Sequence, residues 1–99
     1  MKEHIQQLNK IFENRYRLGI MSLLMIHERI EFLELKQTLD LTDGNLASHA
    51  NTLEQAGYIQ ILKEAGPGRQ VTLYSATAEG RKAFTDHLEN LEKILKNIQ

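Results

Sequence analysis

The chain has 99 residues, a net charge of −1 and no cysteine. A chain of this length forms one small domain that buries about two-thirds of its surface, so residues 1–99 are expected to fold as a single unit. The absence of cysteine excludes disulfides, thiolate metal sites and redox sensing by thiols. The N-terminal segment MKEHIQQLNK lacks the apolar core of a signal peptide, and no segment approaches the roughly 20 apolar residues of a membrane span. We therefore expect a cytoplasmic protein without a membrane partner.

The first part of the chain is predicted to be helical. Residues 4–12 carry apolar side chains on one side at helical spacing, namely Ile5, Leu8 and Phe12. Residues 16–27 are apolar nearly all round, which indicates a buried helix. Gly19 inside that run costs up to about 1 kcal/mol relative to alanine, so a close contact with another helix is expected there. Arg15 and Arg17 stand at the start of this helix, where they can meet a backbone phosphate.

A short strand and two short helices are predicted next. Residues 30–32 alternate in polarity and predict an edge strand, and residues 33–39 predict about two turns of helix. Thr42 can cap a second helix by accepting a bond from a backbone N–H of its first turn, and Gly57 supplies a left-handed stop. Two short helices joined by a tight turn form a helix-turn-helix, here at about 33–57.

The second of these helices has an apolar stripe and, opposite it, a face of short uncharged side chains. The stripe consists of Leu46, Ala50 and Leu53. The polar face and its flanks carry Asn45, Ser48, His49, Asn51, Thr52 and Gln55. Amide, hydroxyl and imidazole groups form the kind of hydrogen bonds that contacts to base edges in a major groove require. The alternative is an ordinary polar surface, and His49 lies close enough to the apolar stripe to be a packed residue instead.

A β-hairpin is predicted directly after the helix-turn-helix. Residues 58–76 have the alternating pattern of two strands on either side of a loop at 65–70, which contains glycine and proline. A hairpin in this position is a wing. Its tip carries Arg69, flanked by Lys63, and would reach a phosphate or a minor groove. The alternative is that Arg69 is a solvated side chain of an exposed loop.

The last predicted helix, at about 78–98, has apolar residues at intervals of four and three. They are Phe84, Leu88, Leu91, Leu95 and Ile98. This is the spacing of a heptad repeat, in which helices from two chains pack together. It predicts a homodimer formed by the N- and C-terminal helices, with Ile5, Leu8 and Phe12 also contributing. The alternative is that the helix packs on the N-terminal helix of the same chain, and a mixture of both arrangements is also expected.

No pattern of residues indicates catalysis, a cofactor or a metal centre. The four histidines fall on four different predicted elements, whereas a metal centre needs three or four converging ligands. The chain contains no nucleophile motif, P-loop or glycine-rich dinucleotide turn, so we expect a protein that is not an enzyme. A metal site shared between two copies at His87, Asp86 or Glu89 stays open. No residue identifies a small-molecule effector.

The order of the predicted elements and several short segments resemble the winged helix-turn-helix DNA-binding domains of MarR-like and ArsR-like transcriptional regulators. Residues 33–36 followed by 41–49 look like the second helix, turn and recognition helix of that family. Residues 53–59 (LEQAGYI) resemble its exit into the wing, and residues 74–81 resemble its strand-to-helix junction. The resemblance covers about residues 15–85. It implies a mainly α fold with a small β-hairpin, in the order α-α-β-α-α-β-β-α.

The resemblance also implies a homodimeric transcription regulator that binds double-stranded DNA at a two-fold symmetric site. The half-sites would lie about one helical turn, roughly 34 Å, apart. Carried over residue by residue, it implies base contacts from Asn45, Ser48, His49 and Thr52, phosphate contacts from Thr42 and Lys36, and a wing contact from Arg69.

Two features of the chain depart from the family pattern. Relatives commonly follow the Ser-His pair with a leucine and one or two basic residues, where this chain has Ala50, Asn51 and Thr52. Residues 40–57 contain acidic side chains and no basic one. These features leave open a second interpretation, in which the domain is a protein-interaction module whose recognition face meets a partner protein.

Overall fold

A computed structural model describes residues 1–99 and contains five α-helices and three strands. The helices are α1 (Lys2–Gln6), α2 (Arg15–Ile26), α3 (Phe32–Leu39), α4 (Asp43–Gln55) and α5 (Ala78–Asn97). The strands are β1 (Ile30–Glu31), β2 (Ile59–Gly66) and β3 (Arg69–Ala76), which form one antiparallel sheet in the order β1-β3-β2. The predicted fold class and element order are confirmed, and β1 is an edge strand as predicted. No helix has both the length and the apolar character needed to cross a membrane.

The core lies between helices α2, α3 and α4 on one side and the inner face of the sheet on the other. The predicted stripe of α4 is buried, since Leu46, Ala50 and Leu53 are each at most 1% exposed. Burying a leucine side chain of this kind stabilises the fold by about 1.5–3 kcal/mol. The stripe therefore determines which side of α4 faces inward, and its polar side is left at the surface.

Gly19 marks the close contact between helices that the sequence predicts. A Cβ atom at this position would lie 2.9 Å from Cδ2 of Leu39. Helices α2 and α3 therefore approach each other more closely here than an alanine would allow without a shift of Leu39.

The prediction of one helix over residues 4–12 is wrong. Helix α1 ends at Gln6, and a separate 3₁₀ turn covers Lys10–Phe12. Between them, Asn9 is extended, with φ −92° and ψ 115°, and its side chain caps the turn by accepting a bond from the Ile11 N–H. Contacts with distant parts of the chain hold Asn9 in this conformation, because its side-chain amide donates to the Tyr58 hydroxyl at 2.9 Å and its backbone N–H donates to Nδ1 of His87 at 3.0 Å.

The hairpin turn is shorter than the predicted loop at 65–70. Gly66 pairs with Arg69 in the β2–β3 ladder, so only Pro67 and Gly68 remain in the turn. Gly68 has a φ of 72°, and proline followed by a left-handed glycine is the sequence of a type II turn. Arg69 is therefore the first residue of a strand and does not stand at the tip.

Helix α4 begins and ends at the residues predicted. The Thr42 side chain accepts a bond from the Asn45 N–H at 3.1 Å, and Gly57 has a φ of 84°. The Tyr58 N–H donates to the Leu53 carbonyl at 3.0 Å, which completes a Schellman ending. The Thr77 hydroxyl donates to the Gly57 carbonyl at 2.7 Å, so the end of α4 is attached to the start of α5.

Candidate nucleic-acid interface

The solvent-facing side of α4 consists of uncharged polar groups with few internal partners. Asn45, Ser48, Asn51 and Gln55 are exposed. The side chains of Asn45 and Ser48 make no hydrogen bond within the chain, whereas the Thr52 hydroxyl donates to the Ser48 carbonyl at 3.2 Å. Asn45 and Ser48 therefore have their full hydrogen-bonding capacity available to a ligand, and Thr52 has part of its capacity committed.

This face is one wall of a groove that the sequence did not predict. The groove has a volume of about 570 Å³, and its lining includes Ser48, Asn51, Thr52 and Gln55. The opposite wall is Ile11, which the 3₁₀ turn places beside α4. Asn9 was the one residue in the sequence that could have indicated this turn, because asparagine is a favoured capping residue and Asn9 stands two positions before Ile11.

His49 is packed against α2, which was the alternative to a role in contacting a base. Its Nδ1 lies 3.2 Å from Nη1 of Arg17, and its ring is tilted against Tyr16 at a centroid distance of 5.5 Å. Burial and, second, the charge of Arg17 lower the pKa of His49. Because arginine only donates hydrogen bonds, Nδ1 accepts and the neutral ring carries its proton on Nε2.

Several basic residues predicted at phosphates are engaged within the chain. Arg17 donates through Nε to the Ile11 carbonyl at 2.7 Å, in addition to its contact with His49. Lys36 lies 2.8 Å from the Asp43 carboxylate, and Arg69 lies 2.8 Å from the Glu31 carboxylate. Arg17 thus connects three segments of the fold, namely α2, the 3₁₀ turn and α4. Lys36 and Arg69 are ion-paired.

The remaining predicted phosphate ligands, Arg15 and Lys63, are exposed and make no ion pair. Lys63 pairs with Thr72 in the ladder, on the same side of the sheet as the buried Tyr74, whereas Arg69 points to the opposite side with Glu31. Lys63 and Arg69 therefore do not flank each other as the sequence suggested. They lie on opposite faces of the wing.

The predicted dimer residues separate into two groups. Phe12 and Phe84 are each 2% exposed and pack edge to face at 5.1 Å, so they belong to the core of the chain itself and are removed from the predicted interface. Leu8 is half-buried. The side chains that remain exposed are Ile5, Leu88, Leu91, Leu95 and Ile98.

The other side of α5 packs against the N-terminal segment through polar residues. His87 is 3% exposed, and its Nδ1 accepts the bond from Asn9. Burial lowers the pKa of His87, and the nearby charge of Glu13 opposes that effect. Helix α5 thus also packs on its own N-terminal segment, which was the alternative to the dimer, while its apolar stripe stays uncovered.

Comparison with known proteins gives a consistent result. Residues 16–95 match the model of a winged helix DNA-binding domain. The chain is 39% identical over 90 residues to the uncharacterized protein MJ0432 of Methanocaldococcus jannaschii, an alignment that covers 91% of this chain and 98% of that protein.

Solved structures agree with that match. A transcriptional regulator homologue from Pyrococcus horikoshii OT3 superposes with a TM-score of 0.91 at 30% identity, over 100% of this chain and 99% of that one. A chain assigned to the MarR family of transcriptional regulators, from Porphyromonas gingivalis W83, shares the fold with a TM-score of 0.67 at 23% identity, over 88% of this chain and 80% of that one. This chain therefore belongs to the winged helix DNA-binding domain family, and its fold is that of transcriptional regulators.

Proposed function

We propose that the protein is a transcription regulator that binds specific sequences of double-stranded DNA as a homodimer, with α4 in the major groove. The observation that carries the proposal is the exposed, uncharged face of α4, on which the side chains of Asn45 and Ser48 have no hydrogen-bond partner within the chain. A major groove about 12 Å wide admits an α-helix, and asparagine can bond an adenine edge through two atoms.

The ends of the interface would meet phosphates. Thr42 and Lys36 lie at the N-terminal end of α4, where the positive end of the helix dipole favours an anion. Arg15 stands at the start of α2, and Lys63 and Arg69 lie on the wing. His49 would contribute through its Nε2 proton, and Arg17 would hold it in place rather than bind DNA itself.

The dimer would form through the stripe on α5 that the chain leaves uncovered. Leu88, Leu91, Leu95 and Ile98 are 40–69% exposed on one long helix, and Ile5 on α1 is 52% exposed. A second copy of the stripe would bury these side chains. Because the start of α5 is bonded to the end of α4, such a dimer would set the separation of two α4 helices, which must be roughly 34 Å for adjacent turns of DNA.

The test is a binding selection from random duplex DNA combined with analytical sedimentation. We expect a selected sequence with two-fold symmetry and a complex of two chains per duplex. Asn45→Ala and Ser48→Ala should each lose discrimination at one base position by about 1–3 kcal/mol. Thr85→Ala is the matched control, since Thr85 is an exposed hydroxyl on α5. Unchanged base preference in both α4 variants would contradict the assigned roles.

A second candidate function is that of a protein-interaction module. It is favoured by one observation, namely that α4 contains Asp43 and Glu54 but no lysine or arginine. A dimer that binds no duplex of any sequence at low salt, but whose α4 variants lose a partner protein, would support this function instead.

A further inference from the structure

We propose that Asp43 and Glu31 act as internal counterions to Lys36 and Arg69 and thereby weaken binding to DNA phosphates for every sequence alike. The inference rests on the proposed function, because it concerns the same surface.

One ion pair spans the turn of the helix-turn-helix, and the other joins two strands that are distant in sequence but adjacent in the sheet. Lys36 on α3 places Nζ 2.8 Å from Oδ1 of Asp43, the first residue of α4, whose side chain is 72% exposed. Arg69 at the start of β3 places Nη2 2.8 Å from Oε1 of Glu31 on β1. Each carboxylate is therefore paired with a cation that would otherwise be free to bind a phosphate.

The fold does not depend strongly on these contacts. Exposed ion pairs contribute little to stability because water screens the charges and the side chains lose freedom. Asp43 interacts favourably with the N-terminal dipole of α4, and Glu31 does the same for α3 as its N-cap residue, although its side chain makes no cap hydrogen bond. The carboxylates have a larger effect on DNA, because each one brings a negative charge to a surface that must approach phosphates.

The consequence for DNA binding follows from counterion release. A lysine or arginine that neutralises a phosphate releases condensed cations, and each such contact contributes about −0.9 to the slope of log affinity against log salt. A cation that already has a carboxylate partner contributes less. Phosphate contacts carry no sequence information, so the two pairs lower the affinity for every sequence and leave the base contacts of Asn45 and Ser48 unaffected.

Few free cations remain on this surface to compensate. Arg17 is bonded to the Ile11 carbonyl and to His49. Arg29 on the outer side of the wing is paired with Glu64 at 3.1 Å. Arg15 and Lys63 are the unpaired members of the predicted phosphate-binding set. The wild-type protein should therefore show a shallow salt dependence and a weak affinity for random-sequence DNA.

The experiment measures binding of a random-sequence duplex and of a selected duplex by fluorescence anisotropy over a series of KCl concentrations. The variants are Asp43→Asn and Glu31→Gln, which remove one charge at nearly constant shape. We expect each to bind the random duplex about 8-fold more tightly at 0.1 M salt, with a slope more negative by about 0.9. The selected duplex should gain by the same factor, so the ratio of selected to random affinity should stay level.

Glu92→Gln is the matched control. Glu92 is paired with Lys96 at 2.9 Å on α5, so this variant removes the same charge from the same kind of ion pair away from α4 and the wing. It should leave both affinities unchanged. Circular dichroism establishes that each variant is folded. Because the two carboxylates belong to separate ion pairs, either variant tests the proposal by itself if the other is destabilised.

The outcomes separate this inference from the proposed function. If the wild type binds duplex DNA and neither variant gains affinity or slope, the counterion role is overturned and DNA binding stands. If the wild type binds weakly and both variants bind more tightly while the control does not, the inference is supported. If neither wild type nor variants bind any duplex at low salt, both proposals are overturned.

Discussion

Gly80 packs so closely against the carbonyl of Tyr58 that the structure has no room for a side chain at this position. The same carbonyl accepts a hydrogen bond from the Thr77 N–H at 3.0 Å. Tyr58 follows the glycine that ends α4, and Gly80 lies in the first turn of α5. The contact therefore constrains the orientation of α4 relative to α5, the helix through which we propose that two copies associate.

Gly80→Ala should destabilise the fold strongly. An added Cβ would overlap backbone atoms of Tyr58, which cannot move aside as the end of a flexible side chain can. Overpacking of this kind costs about 1–3 kcal/mol, and contact with backbone places the expected loss near the upper end, at about 3 kcal/mol. Urea unfolding followed by circular dichroism measures this change in the free energy of unfolding.

Gly44→Ala is the control for that substitution. Gly44 is also in the first turn of a helix, but a Cβ atom there would have no neighbour within 4 Å. Alanine at this position should leave stability unchanged or increase it by up to about 1 kcal/mol, because glycine is a poorer helix former. Equal losses of stability in both variants would contradict the close packing at Gly80.

Acidification should destabilise the protein through His87. Burial lowers the pKa of His87 in the folded chain. As pH falls, the unfolded chain therefore binds a proton at this residue before the folded chain does. The stabilising effect of the neutral ring is therefore complete above the ordinary pKa of about 6.5 and is lost as pH falls below it toward the lowered folded value. The slope for one such proton is at most about 1.4 kcal/mol per pH unit.

The measurement is the free energy of unfolding in urea between pH 7.5 and pH 5. His87→Gln should lower stability at pH 7.5 but reduce its dependence on pH, because the residue no longer titrates. His27→Gln, at an exposed position, should retain the wild-type pH dependence. A pH dependence that is the same in His87→Gln and in the wild type would show that His87 is not responsible.

Arg17→Gln should raise the pKa of His49. The Arg17 charge is the second cause of the lowered pKa, after burial, so its removal should bring the pKa part of the way back to its ordinary value. NMR titration of the imidazole resonances measures the shift. Arg15→Gln is the control. It removes the charge of an exposed side chain that makes no ion pair and stands two residues before Arg17. This variant should leave the His49 titration nearly unchanged.

Leu95→Glu should weaken the proposed dimer without unfolding the chain. Leu95 is 50% exposed, so the substitution changes the core little, but an unpaired carboxylate in a buried interface is costly. We expect at least about a tenfold increase in the dimer dissociation constant, equivalent to about 1.4 kcal/mol. Sedimentation over a range of concentrations measures this change. Lys93→Glu is the control, because Lys93 lies beside α1 on the polar side of the same helix. A matching loss of dimer in that variant would count against the apolar stripe as the interface.

Local sequence rules were sufficient to predict helix α4 and its exposed face. Thr42 and Gly57 act on backbone groups within a few residues of themselves, so their roles can be predicted from a short segment of the sequence. The stripe of Leu46, Ala50 and Leu53 depends only on helical spacing, and burial of that stripe leaves the polar residues outside. Gly19 likewise predicted a close contact between helices, although not with Leu39 in particular.

Which polar and apolar groups remain available for binding depends on contacts that form only in the folded chain. The partners of Asn9 are Tyr58 and His87, and the partner of Arg69 is Glu31, each many positions away along the chain. Contacts that no local rule contains therefore interrupt the helical pattern of residues 4–12 and give the exposed Arg69 an ion-pair partner. A side chain's type predicts what it can bond, but its free capacity depends on which distant groups the fold brings within about 3 Å of it.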